Sequence, residues 1–365
     1  MRTVWFCGAI AFVMIGCAVT EDDGNELQTG EADQDLNLAG RLLFNQATFG
    51  GNGRVCTTCH GDANGTITPA EIAALSPNDP VFRSIDSDDG HGSSYSLLRA
   101  NATFNVTIPL PANWSLADNP TARSITLRRA VPTTNNVPSL DTLFMADGRF
   151  TTLQDQALGA VNAHYQPKRQ PTARELDDIA DFEQSITFFS DVRLLAYAHG
   201  GPEPTLPPGR TASEKRGRNF IVPSPTGFCG HCHAGPMLNA TSQFLIANPE
   251  PPVGTRFFTA FVSELNEGHN PVYTFNVRNA DGSVTQIVSP DPGRALITGN
   301  PADANLFRIP TLWGAVNTGP WFHDNSAKTL QQLTQHYSTY FQIVGLPPLS
   351  DQDQQDIIAY LRLLN

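Results

Sequence analysis

An all-α fold of two tandem units is what the sequence predicts, with long loops and a small β-hairpin inserted in the second unit. Two observations predict it. The pentapeptide Cys56-Thr57-Thr58-Cys59-His60 returns as Cys229-Gly230-His231-Cys232-His233. The landmarks that follow the first copy also follow the second: 87 residues separate His60 from Asp147, and 91 separate His233 from Asp324. Both aspartates open an Asp-x-x-x-x-Thr-Leu string, ending at Thr152-Leu153 and at Thr329-Leu330, where the Thr suits a helix N-cap. Ile179 lies 32 residues beyond Asp147 and Ile357 lies 33 beyond Asp324, in matching amphipathic stretches, Glu175 to Ile186 and Asp351 to Leu364. Upstream, Gly40-Arg41-x-x-Phe44 is echoed by Gly217-Arg218-x-Phe220.

Cys-x-x-Cys-His is the pattern on which haem is attached covalently. Two thiols spaced by two residues on one turn reach two vinyl groups of one porphyrin, and the adjacent His gives the iron a strong-field nitrogen. The chain therefore reads as a c-type cytochrome with two covalently bound haems, one on Cys56, Cys59 and His60 and one on Cys229, Cys232 and His233. The alternative for four such thiols is a structural zinc site; the His directly after each pair argues against it.

Taken in order, residues 1–17 form a targeting segment of lipoprotein type. Arg2 supplies a positive start, and Val4 to Gly16 is an apolar run too short to span a bilayer. Met14-Ile15-Gly16-Cys17 resembles a bacterial lipoprotein cleavage site, which predicts lipidation of Cys17; the alternative is plain secretion with cleavage after Cys17. Either route leads to the periplasm or the cell surface, with the membrane met only through a lipid anchor. Of six cysteines, the four left after Cys7 and Cys17 all lie in the two motifs, so no separate disulfide framework is expected.

Residues 18–35 are an acidic tether. The first cytochrome c-like domain, 36–199, opens on a helix with Leu38, Leu42 and Leu43 on one face and Phe44 closing it. Residues 61–135 read as a long, polar, helix-poor insertion holding Asp86, Asp88, Asp89 and His91. The Gly- and Pro-rich stretch 200–210 is the linker, and 211–365 is the second domain. Its insertion reads as a hairpin, Val272 to Val277 and Val284 to Val288 about a turn at Asn279 to Ser283. A hydrophobic fraction of 40% supports real cores, and a net charge of −12 argues against nucleic acid as a partner and suits a basic electron donor.

Further residues carry a resemblance. Ala146-Asp147-Gly148-Arg149, Leu153-Gln154-Asp155-Gln156-Ala157, Phe307-Arg308-Ile309-Pro310-Thr311-Leu312 and Thr318-Gly319-Pro320-Trp321-Phe322-His323-Asp324, with the paired Cys-x-x-Cys-His motifs, resemble the bacterial di-haem cytochrome c peroxidase family and its MauG-type branch over about residues 36 to 365. The resemblance implies a peroxide-reacting haem on His60 and an electron-transfer or charge-storing haem on His233. It implies a calcium ion between the domains, held by the Asn136 side chain and the carbonyls of Thr318 and Pro320. It implies hydrogen peroxide as substrate and an electron-donor protein as partner: a small cytochrome, a cupredoxin or a protein that is itself modified.

The family register places Tyr337 where the peroxidase branch has a Met sixth ligand to the second haem, as in the MauG-type branch. His336, beside it, is the alternative ligand, and Met237 reads as packing. On the peroxide side Gln156 matches the distal Gln, while Gln166 stands where the family has its acid–base Glu. A neutral amide moves no proton, so His164 is the expected distal base, with Gln156 and Gln166 orienting peroxide; the alternative makes His164 a surface residue or a haem ligand. Ala146 stands where the family has an inter-haem Trp, and Trp313 and Trp321 are candidates to fill that space. These departures keep a second function open, a non-catalytic di-haem electron-transfer cytochrome.

Overall fold

The structure, a computed structural model, describes residues 38–61, 64–245 and 255–365. The targeting segment with Cys17 and the acidic stretch 18–35 lie outside the described residues. Among the described residues helix accounts for 37% and strand for 13%, in three sheets, so the fold is mixed and the all-α expectation is corrected.

The correction originates in the 61–135 stretch, which carries β1 (Thr103–Pro109), β2 (Trp114–Leu116) and β3 (Ser124–Ala130). Four more strands follow: β4 (Phe257–Phe258), β5 (Tyr273–Arg278), β6 (Val284–Ser289) and β7 (Phe307–Arg308). β1 and β3 pair antiparallel, with Phe104, Val106 and Ile108 turned inward opposite Ile125 and Leu127. That alternation of period two is a strand signal, hidden among polar neighbours when the chain is scanned for helical spacing. The β5–β6 hairpin forms where expected, but β2 from the first half adds to it, giving the order β2-β5-β6. Trp114, Phe275, Val277 and Leu296 are buried between these sheets, so one apolar core is shared by both halves.

The helical part repeats. A Cβ on Gly40, in the helix over 38–46, would lie 1.9 Å from the Asp178 carbonyl oxygen of the helix Ala173–Glu183. A Cβ on Gly217, in the helix Ala212–Ile221, would lie the same 1.9 Å from the Asp356 carbonyl oxygen of Asp351–Leu361. Only glycine permits so close an approach. It also turns the first helix: Gly40 and Phe44 are buried, whereas Leu38 and Leu42 are 54% and 48% exposed, which corrects the expected leucine face.

The two Asp loops share a backbone as well. Phe144 bridges Phe150 around Asp147, and Trp321 bridges Ala327 around Asp324. The residue after each Asp is left-handed, Gly148 at φ 64° and Asn325 at φ 56°. Asn is one of the few residues besides Gly that tolerates this region, which explains why the second copy spells the turn differently. Thr152 and Thr329 then cap the helices Leu153–His164 and Leu330–Ile343, accepting from the backbone N–H groups of Asp155 and Gln332. Residues 201–209 have no regular structure but are anchored: the Tyr360 hydroxyl donates to the Pro207 carbonyl at 2.8 Å.

Candidate functional site

Each motif forms one tight turn. Cys56–Thr58 is a short 3-10 turn and Cys229–Cys232 a single helical turn; the N–H groups of His60 and His233 donate to the carbonyls of Cys56 and Cys229, both at 2.9 Å. Thiols three apart on a turn share a face, as attachment to one porphyrin requires. Both imidazoles are held alike. His60 Nδ1 meets the Gly65 carbonyl at 2.8 Å, and His233 Nδ1 meets the Leu238 carbonyl at 2.8 Å. A carbonyl only accepts, so Nδ1 carries the proton and the Nε2 lone pair is left for a metal.

Burial pushes all four motif thiols up to about 12. They are neutral thiols without disulfide partners. Among the described residues no three His, Cys, Asp or Glu side chains gather as metal ligands, so the thiol pairs build no shared zinc site.

The second motif opens onto a cavity of about 280 Å³, walled by Cys229, Cys232, His233, Tyr337, Trp313 and Phe322. An apolar cavity with two neutral thiols, a pre-oriented imidazole and a phenol in its wall fits haem. Tyr337 is coupled to both thiols, and burial holds its hydroxyl above the ordinary tyrosine value. His336 is turned elsewhere: its Nε2 meets the Ala260 carbonyl at 2.7 Å and its Nδ1 meets Glu267 at 3.2 Å. Met237 is buried in the neighbouring core, as its packing role requires. Ala146, Trp313 and Trp321 all stand in the cavity wall, together with His323, whose ring stacks on Phe307 at 3.7 Å.

At the first motif, Cys56 accepts a hydrogen bond from the Tyr165 hydroxyl at 3.3 Å. Two residues before it, the buried Arg54 pairs with Asp86 at 2.6 Å. His164 closes the helix Leu153–His164 beside Phe104, close enough to His60 for their charges to interact. Its Nδ1 is shielded and has no hydrogen-bond partner. Burial lowers its pKa to about 4, so the ring is neutral at ordinary pH and able to accept a proton. Gln156 is half-buried on the same helix, whereas Gln166 is exposed and its amide oxygen accepts from Asn52 at 3.3 Å. His91 is exposed.

Asn136 directs its amide to protein groups: Oδ1 accepts from the Ser190 N–H at 2.9 Å, and Nδ2 donates to Ser190 Oγ at 2.8 Å and to the Trp313 carbonyl at 3.3 Å. Thr318 and Pro320 lie in the wall of the second cavity.

Between the two sites runs an ion network that sequence reasoning touched only at Asp147 and Arg149. Arg129, 4% exposed, pairs with Asp147 and makes two hydrogen bonds to Asp291 at 2.7 and 2.8 Å. Arg149 closes on Asp147 at 2.8 Å, and Arg294 donates to the Asp147 and Gly148 carbonyls. Burial, the largest single effect, would raise both carboxyls; the Arg129 charge together with the hydrogen bonds and the other cations beside them outweighs it and holds them below the usual carboxylate range. Nothing local in the sequence marks Arg129 or Asp291, since they meet only through the fold. Glu183 was missed for the same reason. It is buried, with an oxygen lacking any partner.

No family model matches the chain. It is 37% identical over 76 residues to a cytochrome c551 peroxidase of Nitrosomonas europaea, covering 21% of this chain and 22% of that one. It is 25% identical over 201 residues to the cytochrome-c peroxidase IdrP1 of a Pseudomonas species, covering 51% and 48%. The chain thus matches under half the length of each of these relatives. A crystal structure of a MauG-like protein associated with microbial copper homeostasis superposes with a TM-score of 0.52 at 20% identity, over 91% of this chain and 88% of that one, and shows the shared fold. Over these stretches the chain is similar to bacterial cytochrome c peroxidases, and in fold to a MauG-like protein. The two motif turns are where this chain's residues suit haem. Among the described residues no helix is long and apolar enough to cross a membrane.

Proposed function

We propose that the chain is an exported di-haem c-type oxidoreductase of peroxidase type. In this reading the haem on Cys56, Cys59 and His60 meets hydrogen peroxide. The haem on Cys229, Cys232 and His233, with Tyr337 as its other axial ligand, relays or stores oxidising equivalents for a redox partner protein. Haem, when bound, supplies the oxidising chemistry; the chain binds it, orients ligands and handles protons.

One observation carries the reading: in both motifs Nδ1 of the His is fixed on the carbonyl five residues on, beside a pair of neutral buried thiols, and the His233 ring also meets the Pro310 carbonyl in the cavity wall. At the first site His164 takes the proton of bound peroxide, and Gln156 orients the ligand. Gln166, exposed in the structure and held by Asn52, has at most a minor part in orienting the ligand. The domains are 36–199 and 211–365, joined through 200–210; the doubled glycine-to-carbonyl helix contact supports that division. A calcium ion on Asn136, Thr318 and Pro320 rests on the family resemblance, with one lone pair of Asn136 Oδ1 still open to a cation. Cys17 carries the lipid anchor at the periplasmic face or cell surface.

The unpartnered Nδ1 of His164 also favours a second reading, in which that ring closes the first iron and the protein is an electron carrier. Electron paramagnetic resonance of the purified holoprotein separates the two. A high-spin signal that responds to stoichiometric peroxide is expected for the enzyme; two low-spin haems inert to peroxide leave the carrier.

A further inference from the structure

We propose that Glu183 is a redox-linked proton site of the first haem: the carboxylate takes up one proton from solvent when one electron arrives there from a one-electron donor, and releases it on reoxidation. The inference rests on reading Cys56–His60 as a haem site.

Glu183 ends the helix Ala173–Glu183 and is 5% exposed. Its Oε2 has no hydrogen-bond partner, and neither has the Ser185 hydroxyl two residues on. Two orphaned buried polar atoms on one turn would be satisfied by a water, which would give a proton a route. The carboxyl lies near enough to Cys56 for its charge to act on that thiol, and Cys56 packs on the Phe44, Phe182 and Phe188 cluster of the same helix pair.

Four other buried carboxylates are ion-paired: Asp86 faces Arg54, Asp141 faces Arg256 and Arg308, and Asp147 and Asp291 face Arg129. Glu183 has no such partner. Burial is the one cause that raises its pKa, to about 8; no charged side chain of the helix over 38–46, of Leu153–His164, of Val137–Leu140 or of Ile186–Phe188 offsets it. The one titratable group coupled to it is Cys56. In so apolar a site a proton is then the available counter-charge. An added electron nearby makes the carboxylate costlier still, so proton uptake follows reduction.

The repeat supplies an internal control. Gly40 meets Asp178 and Phe182 as Gly217 meets Asp356 and Tyr360, which sets Glu183 opposite Leu361, a buried apolar residue. The second haem lacks the device.

Potentiometric titration of the holoprotein between about pH 6 and 9, following each haem by its own absorption, tests this. Expected for the first haem is a midpoint that is level where Glu183 already holds its proton and falls as pH rises above about 8, with a limit of about 59 mV per pH unit for one proton per electron. In Glu183→Gln that slope is lost, while the second haem's profile is the same in both proteins. A flat first-haem profile in the wild type, or an unchanged slope in the variant, overturns the proposal. Redox difference infrared spectroscopy of the wild type is the second measurement, needed if the variant fails to mature. At about pH 9, above the raised value of Glu183, a protonated-carboxyl band must appear on reduction, and its absence refutes Glu183 as the site. A colourless wild-type protein would instead remove the haem reading itself, and this inference with it.

Discussion

Tyr337 and His336 are neighbours on the helix Leu330–Ile343, with ring planes at 88°, and they face different environments. Successive helix residues point about 100° apart, so one can enter a cavity while the other cannot. Tyr337 stands in the wall beside Cys229, Cys232 and His233; His336 spends both ring nitrogens on Ala260 and Glu267. The proposed ligand role therefore predicts opposite results for the two. Tyr337→Phe shifts the absorption and resonance signature of the second haem with little loss of stability. His336→Phe leaves that signature in place but strands the Ala260 carbonyl, costing about 1–3 kcal/mol in chemical denaturation.

Gly40→Ala and Gly217→Ala each set a methyl 1.9 Å from a backbone carbonyl oxygen. The helix pairs must part or bend, and overpacking of this kind costs about 1–3 kcal/mol. Alanine's better helix propensity returns about 1 kcal/mol, too little to cancel it. Both variants should melt earlier by similar amounts. A loss in one and none in the other would break the equivalence of the two helix pairs.

How much of this was legible in the sequence follows from which contacts are local. The motif turns, the Thr152 and Thr329 caps and the 273–289 hairpin depend on residues a few positions apart, and the structure builds them as read. The pairing of β2 with β5 joins residues more than 150 apart, as Trp114 opposite Val277 shows, and no local pattern encodes it. The β1–β3 pair was written in the alternation of Phe104, Val106 and Ile108, but the polar residues between them resemble a loop. Leu38 and Leu42 illustrate the opposite error: their spacing is helical, yet the close contact at Gly40 decides which face is buried.

Asp147 and Asp291 have pKa values held down in the folded protein, Arg129 with the other cations and hydrogen bonds around them overcoming the effect of burial. A depressed carboxyl contributes stability that is full above its unfolded value, about 4, and is lost as pH falls through the lower folded value. Unfolding free energy should therefore drop steeply on acidification below about pH 4. Asp291→Asn leaves Arg129 half-neutralised in a buried site, which costs about 3–5 kcal/mol at neutral pH. The variant's acid limb should also be shallower, because one of the two titrating groups is gone. Urea denaturation at a series of pH values measures both effects.

Glu183 shifts in the opposite sense, and the sign of its effect reverses. Its folded pKa is raised to about 8, above an unfolded value near 4, so the folded state keeps a proton that the unfolded chain gives up. Its contribution is full below the unfolded value and falls as pH rises through the window between the two. Glu183→Gln should flatten the decline in stability from about pH 5 to 8, read by thermal melts at each pH. An unchanged decline would mean that some other group is responsible.

His164 bears on the reaction itself. Burial lowers its pKa to about 4, so as a general base it is already unprotonated across the neutral range. The rate of reaction with peroxide should therefore be flat from about pH 5 to 8 and fall on the acid side as the ring takes up a proton. His164→Ala should lower that rate by about 10²–10⁴, the usual contribution of a positioned base, and should abolish the acid limb. Gln166→Ala, at an exposed position hydrogen-bonded only to Asn52 among the described residues, should change the rate little. If His164 instead ligates the first iron, its removal converts a low-spin haem to high-spin and speeds the reaction with peroxide. Stopped-flow absorption with a resonance spectrum of the same sample tells a slower enzyme from an unblocked carrier.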